Sequence, residues 1–464
     1  MSLKVGTIDG VAMSETNKYG FPTQIKYIIG NEAAERFSYY GMRSILVMFM
    51  VKYLMMAENQ AKEVYHLFIS ANYFMPLLGA YIADRFWGKY KTILYISLFY
   101  CLGHAALAVW ENTFGLYLGL ALIAFGSGGI KPCVSAHVGD QFDSTNKHMI
   151  KKVYDLFYFS INFGSFFSTL LIPWLLKQYG PSIAFGVPGI LMGLATLVFW
   201  MGRDLYRIVP PTGKENSARF LGVLWHGMTH ISEKKAGQSW LDTAREKFGE
   251  ERVEGAKAVL GIISVFMFVI GFWSLFEQHG GSWVLQAEKM DRNVMGMQWE
   301  SSQIPSLNPI MVMILIPLFG YVIYPGIEKL GFKMTPLRRM GGGLLVTGLS
   351  FIWAGVLQTM LDAGTSVSVV HQIPPFLLLT AGEVMVSITG LEFAYTQAPK
   401  VMKSTVMSIW LLTVSIGNLF TAYIAHLNPF SGAMEFYFWA GFIFVLATMF
   451  AFAASRYKER TYVG

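Results

Sequence analysis

The chain has 464 residues, of which 54% are hydrophobic and only 14% charged, against about 25% charged in an ordinary globular protein. With 36 Phe, 26 Met and 46 Gly, this excludes intrinsic disorder and exceeds what one core under a polar surface can hold, so a bilayer is the solvent to expect. Two cysteines, Cys101 and Cys133, exclude a disulfide scaffold, and the net charge of +7 would point to nucleic acid only if the basic residues gathered on one face.

Residues 1–24 carry Asp9, Glu15, Asn17 and Gly20 without an apolar run, so they read as a tail rather than a signal peptide. Six segments long and apolar enough to span follow, at 25–56, 63–86, 90–111, 114–137, 153–178 and 182–202. Residues 203–257 are a polar linker with Pro210, Pro211, Lys234, Lys235, Glu250 and Glu251. Its piece 218–230, with Phe220, Leu221, Val223, Leu224 and Trp225, fits either an amphipathic helix at the membrane interface or a soluble helix. Six more spans follow at 258–279, 304–328, 336–358, 373–397, 401–425 and 435–456, and 457–464 is a second tail. The fold class expected is an all-α integral membrane protein, with 12 transmembrane helices in two six-helix bundles at 25–202 and 258–456. That is the major facilitator layout. A weak echo supports a repeat: GAYIADRFWGKYKT at 79–92 lies between spans two and three, GYVIYPGIEKLGFKMT at 320–335 between spans eight and nine.

With the N-terminus inside, the Lys and Arg left outside are Lys52, Lys62, Lys177, Lys289 and Arg292, while Arg36, Arg43 and Lys131 fall within spans. The rest of the 36 face inward, as the positive-inside rule requires. Both termini therefore read as cytoplasmic, in a multi-pass protein of the cytoplasmic (inner) membrane. Basic residues scattered over short loops give no nucleic-acid partner.

Charge inside a span is costly and marks function by default. The first span holds Glu32, Arg36 and Arg43 along one stripe, with Tyr39 and Tyr40 between them and Glu35 beside it. This face lines water or meets opposite charge; the alternative is a structural ion-pair network. Lys131, Glu277, Glu383 and Glu392 are the other charges, with His66 and His104 in spans two and three. Arg43 and Glu277 share the outer half of the membrane and can pair across the halves, which would make them a gate. Lys131 lies in Gly126-Ser-Gly-Gly-Ile-Lys-Pro132, expected to interrupt its helix beside a binding site; close packing by the glycines is the other reading. Glu383 and Glu392, nine residues apart, face opposite ways on an α-helix, and Glu383 shares its face with Ser387 and Gly390. For His66 a hydrogen-bonded core histidine and a proton acceptor are both open; His104 and His279 read as structural.

Gly30 to Gly41 contains ExxERFxYY, which resembles the first-helix motif of the proton-dependent oligopeptide transporter family. Gly79-Ala-Tyr-Ile-Ala-Asp84 with Gly88, Phe157-Tyr-Phe-Ser-Ile-Asn162-Phe-Gly164 and Gly382-Glu383 through Pro399 are similar to the same family, and Gly128 to Ala136 resembles its animal members. The resemblance runs from about Phe21 to Tyr457. It implies that Glu32, Glu35 and Arg36 couple protons to peptide, that Arg36 and Lys131 hold the peptide carboxylate, and that Glu383, helped by Asn162 and Asn308, takes the ammonium. It further implies that Tyr39, Tyr40, Tyr73, Trp273 and Trp410 wall the side-chain pockets, that Glu277 titrates and pairs with Arg43, and that His66 has a proton role. Two departures stand out: the linker is too polar for the two extra helices of many bacterial members, and Gly320 stands where animal members have an acid.

The implied activity is symport of di- and tripeptides with protons. A short peptide is a zwitterion of nearly fixed length, so a cation and an acid at opposite ends of a cavity measure it. Apolar walls then tolerate many side chains. A facilitator for another small anion, such as nitrate, is the alternative. No nucleophile–base pair or metal-ligand spacing marks an enzyme or a metal site. The partners expected are peptides, protons and the bilayer, with no cofactor and no obligatory protein partner.

Overall fold

The computed structural model describes residues 21–142, 146–211, 217–235 and 237–457; the first 20 residues of the N-terminal tail and the last seven residues of the chain lie outside them. The N-terminal bundle consists of α1 (Ile25–Lys52), α2 (Glu58–Ile82), α3 (Gly88–Val109), α4 (Thr113–Asp140), α5 (Ile150–Tyr179) and α6 (Pro181–Met201). In the linker stand α7 (Ser217–Thr229) and α8 (Arg245–Phe248). The C-terminal bundle holds α9 (Glu250–Phe276) continued by α10 (Ser282–Glu288), then α11 (Leu307–Leu318) with α12 (Tyr324–Lys329), α13 (Pro336–Asp362), α14 (Ile373–Glu383) with α15 (Thr389–Gln397), α16 (Lys403–Leu427) and α17 (Ala433–Arg456). A small hairpin of β1 (Asn293–Val294) and β2 (Met297–Gln298) follows α10.

Ten helical segments are long and apolar enough to cross a membrane. One of them, Glu58–Val109, is α2 and α3 together, turned at Gly88, whose φ of 72° favours glycine. The first helix, α1, falls short only because Glu32, Glu35, Arg36 and Arg43 interrupt its apolar run. With these two adjustments the crossings number twelve, arranged as two bundles with separate apolar cores. This is the major facilitator type of helical transporter fold.

Three local departures from the sequence expectation shape the site. First, α4 runs unbroken through Gly126-Ser-Gly-Gly-Ile-Lys-Pro132, so the expected interruption is absent. The glycines are there for packing: a side chain on Gly128 would strike Asn72 and Met75, and one on Gly79 would overlap the Gly129 carbonyl. Replacing Gly79 by Val is therefore expected to lower the thermal unfolding midpoint in detergent severely, since α2 and α4 must move apart and overpacking already costs about 1–3 kcal/mol where side chains can give way.

Second, irregular π-type turns occur instead at Ala83–Trp87, Phe319–Ile323 and Val384–Ile388. The last lies between Glu383 and Glu392 and unwinds the helix by about a quarter turn, so the two acids do not oppose each other as a regular helix would have them. Glu392 is exposed. Third, α9 begins at Glu250, well before the expected span start at 258, because Asp242, Arg245, Glu250, Glu254 and Lys257 form a polar cluster over its first turns.

The linker helix α7 buries Phe220 and Val223 against α9, while Leu221, Trp225 and Met228 are exposed on its other face. Hydrogen bonds from Lys257 and Arg245 hold the Asp242 carboxyl well below the usual range. A depressed acid contributes stability above its unfolded pKa and loses it only as pH falls through the folded value. The linker is thus expected to stay docked until pH drops below about 3.9. Asp242→Asn is expected to make residues 203–257 several-fold more sensitive to limited proteolysis at neutral pH, with the bundles intact.

Candidate functional site

The stripe on α1 is real. Arg36 Nε lies 2.6 Å from Glu32 Oε1 and 3.1 Å from Glu35 Oε2, and both acids are nearly inaccessible, at 2% and 1% exposure. Ser127 Oγ donates to Glu35 Oε1 at 3.0 Å. One turn further along α4, Lys131 Nζ stands over the rings of Tyr39 and Tyr73, at 4.6 and 4.5 Å. Among the described residues it has no carboxylate partner, so two aromatic faces are what hold this cation.

Between the bundles lies a cleft of about 220 Å³, walled by Tyr40, Arg43, Tyr65, Tyr73, Ser165, Thr169, Trp273, Glu277, Asn308, Glu383 and Ser387, among others. Asn308 Nδ2 donates to Glu383 Oε2 at 2.7 Å and approaches Thr380 Oγ1 at 3.2 Å. No cation is paired with Glu383 among the described residues. The acid is therefore available to an incoming ammonium, already oriented by a neutral donor.

Arg43 and Glu277 form a buried ion pair across the bundles, and Arg43 Nε donates to the Tyr65 hydroxyl at 2.8 Å. This pair caps one end of the cleft. Beyond it, further pairs join the bundles: Lys52 with Glu288 at 2.6 Å, Lys62 with Glu435 at 2.7 Å, Lys177 with Glu300 at 2.5 Å, Lys289 with Glu58 at 3.0 Å and His426 with Glu63 at 3.1 Å. Val284 and Leu285 of α10 are buried in the N-terminal core. No ion pair among the described residues joins the bundles at the opposite end of the cleft. The bundles are thus closed together on the side of these pairs.

His66 is 1% exposed, and its Nδ1 lies 2.8 Å from Asn418 Oδ1. His104 meets Ser38 Oγ at 2.9 Å, and His279 Nδ1 lies 2.6 Å from the Phe276 carbonyl, geometries that fit the structural reading of both.

Several expected wall residues stand elsewhere. Tyr39 is 1% exposed and accepts from Asn72 Nδ2 at 3.0 Å, behind Lys131 rather than on the cleft. Trp410 packs behind Trp273, their ring centres 6.3 Å apart, and against Gly390. Asn162 does not reach Glu383: its Nδ2 donates to the Tyr158 carbonyl at 3.0 Å, satisfying its own helix. Arg36 and Lys131 sit beyond Tyr40 and Tyr73 rather than in the wall itself. Sequence reasoning missed Tyr65, Ser127 and Asn418, the partners of Arg43, Glu35 and His66. For Asn418 the signal was present, as an amide inside an apolar span.

The family model described as POT family matches residues 90–433. Solute carrier family 15 member 2 of Homo sapiens is 37% identical over 362 residues, 74% of this chain and 50% of that protein. Peptide transporter family 1 of Drosophila melanogaster is 39% identical over 361 residues, 74% of this chain and 48% of that protein. The chain spans about half the length of these curated relatives. Among solved structures, that of the POT family transporter PepTSo matches with a TM-score of 0.88 at 42% identity, covering 94% of this chain and 99% of the other. Two helical bundles around a charged cleft, with a family match over most of the chain, place it: this multi-pass membrane protein belongs to the POT family of transporters.

Proposed function

We propose that the chain carries di- and tripeptides into the cell together with protons, from the cytoplasmic (inner) membrane, with both termini in the cytoplasm. The observation that carries this reading is the arrangement of charge among the described residues: a Lys131 without a carboxylate partner on the N-terminal bundle, and across the cleft a Glu383 whose partners are neutral. A peptide zwitterion supplies the missing charge at both ends. Its carboxylate joins Lys131 and Arg36, its ammonium joins Glu383 and Asn308, and Tyr40, Tyr73 and Trp273 flank its side chains. The relative from Drosophila melanogaster, named a peptide transporter, supports that cargo. The nitrate alternative gains no support from the relatives, and an anion would leave Glu383 without a purpose.

Charge counting gives the coupling. Glu32, Glu35, Arg36 and Lys131 together are neutral when all are ionised, and the ammonium neutralises Glu383. The peptide carboxylate then leaves the α1–α4 cluster with one surplus negative charge in a poorly solvated site. One proton, taken by Glu32 or Glu35 as the carboxylate competes for Arg36, restores neutrality. The loaded carrier can then rock as the outer and inner closures exchange. No cofactor and no protein partner enters this cycle.

The test is uptake of labelled dialanine by purified protein in liposomes, with and without an imposed inward proton gradient. Accumulation above the external concentration only with the gradient is the expected result. Entry of nitrate, or of no solute but with folded protein, would overturn the reading.

A further inference from the structure

Apart from the central cleft, a second pocket lies where the bundles meet on their closed side. It measures about 140 Å³, close to the roughly 150 Å³ of an apolar cavity that takes a benzene ring. Met48, Tyr53, Pro173 and Leu176 give it an apolar wall, and the Tyr53 hydroxyl is already bonded to the Leu176 carbonyl at 3.1 Å. Lys52 and Lys177 line it from the N-terminal bundle, Glu300 and Ser302 from the C-terminal one.

Five charges at this pocket are linked in one chain of ion pairs. Lys52 Nζ lies 2.6 Å from Glu288 Oε1, which Arg292 Nη2 approaches at 3.1 Å. Arg292 Nη1 is 3.7 Å from Glu300 Oε2, and Lys177 Nζ is 2.5 Å from Glu300 Oε1. Three cations share two carboxylates, so one positive charge in the chain is uncompensated. The next acids are engaged elsewhere: Glu58 with Lys289 at 3.0 Å, and Glu111 with the Ser182 amide and hydroxyl at 3.0 and 2.6 Å.

Hydrogen bonding gives an independent sign. Ser301 Oγ donates to Glu288 Oε2 at 2.6 Å. Its neighbour Ser302 is 3% exposed and lines the pocket, and its Oγ has no partner among the described residues. Arg292 Nε is likewise buried without an acceptor among them. Unused donors beside a surplus of positive charge fit an acceptor that is itself negative.

We propose that this pocket is a second ligand site, taking a small organic monoanion with an apolar body. The body lies on Met48, Tyr53, Pro173 and Leu176, and the charged head accepts from Ser302 and Lys177. Both bundles supply contacts, so the site is complete only while they are closed together here. A bound anion therefore holds that closure and slows the return of the carrier to its other state. This goes beyond the transport reading and depends on neither the cargo nor the proton.

The probe is benzenesulfonate, a permanent anion that carries no protons across the bilayer. Methanesulfonate, with the head but no ring, controls for salt screening, and benzenesulfonamide, with the ring but no charge, for the apolar wall alone. Two readouts are taken: the distance between spin labels at Met55 and Met295, exposed on opposite bundles, in protein without peptide, and the rate of uptake at saturating dialanine in liposomes. In the wild type, benzenesulfonate is expected to shift the labels toward the short distance and to lower the rate threefold or more, with neither control doing so. Ser302→Ala is expected to raise the concentration needed for half the effect about tenfold, since a hydrogen bond to a charged group is lost. Lys177→Gln, which balances the chain, should raise it about threefold or more. No effect in the wild type overturns the proposal. So does equal potency in the wild type and both variants, which places the anion elsewhere, or equal potency of the sulfonamide, which makes the pocket merely apolar. If the protein carries no dialanine, the transport reading fails while the label distance still decides this one.

Discussion

Glu32→Gln combined with Glu35→Gln is expected to abolish concentrative uptake while leaving peptide exchange in place. Among the described residues the two carboxylates are the only acids paired with Arg36, at 2.6 and 3.1 Å, and in the proposed cycle they are the groups that the peptide carboxylate displaces. Amides keep much of the shape and hydrogen bonding but cannot take or lose the coupling proton. The driving force at stake is large: one charge crossing 100 mV is worth about 2.3 kcal/mol, or about fifty-fold accumulation. The double variant should therefore fall from that level to simple equilibration, measured as the ratio of internal to external dialanine at steady state. Peptide affinity should hold or rise, since Arg36 loses its competitors. Concentrative uptake equal to wild type would remove both acids from the coupling step.

Glu277→Gln is expected to open the outer side of the molecule. Removing one partner of a buried pair costs about 3–5 kcal/mol because the other charge is left stranded, and Arg43 is stranded only when the bundles meet around it. The exposed outer pairs cannot compensate. Lys52–Glu288 and Lys289–Glu58 are about half exposed on the lysine side, and pairs of that kind contribute about 0–1 kcal/mol each. The balance should thus move by about a hundredfold or more toward the outward-open state. Spin labels at Met55 and Met295, which are 82% and 95% exposed on opposite bundles, would report a longer distance in the variant. The charge swap of Arg43→Glu with Glu277→Arg should restore much of the closure. An unchanged distance in Glu277→Gln would mean that the apolar seam of Val284 and Leu285, rather than the ion pair, closes the outer side.

What was legible in the sequence follows from how each feature is encoded. A spanning helix needs some twenty apolar residues, so the spans could be read from composition alone. The charges of α1 could be read because nothing apolar explains them, and the Arg43–Glu277 pair because depth in the membrane follows from position along a span. The π-type turn after Glu383 could not be read: one extra residue in a turn leaves no compositional mark, yet it resets the direction of everything after it. Gly126 to Pro132 misled because glycine and proline break helices in water, whereas here bare backbone lets α2 and α4 touch. Asn162, Tyr39 and Trp410 carry suitable chemistry on suitable helices. A rotation of tens of degrees decides whether such a side chain lines a cleft or stands behind it, and periodicity does not resolve that angle.

The central claim is that a peptide brings a proton with it. Liposomes loaded with a pH-sensitive dye, held at zero potential with potassium and valinomycin and at equal pH on both sides, test it directly when dialanine is added outside. The account predicts that the lumen acidifies as peptide enters, with one proton for each dialanine. Entry of dialanine without any acidification would contradict it and leave a peptide facilitator in place of a symporter.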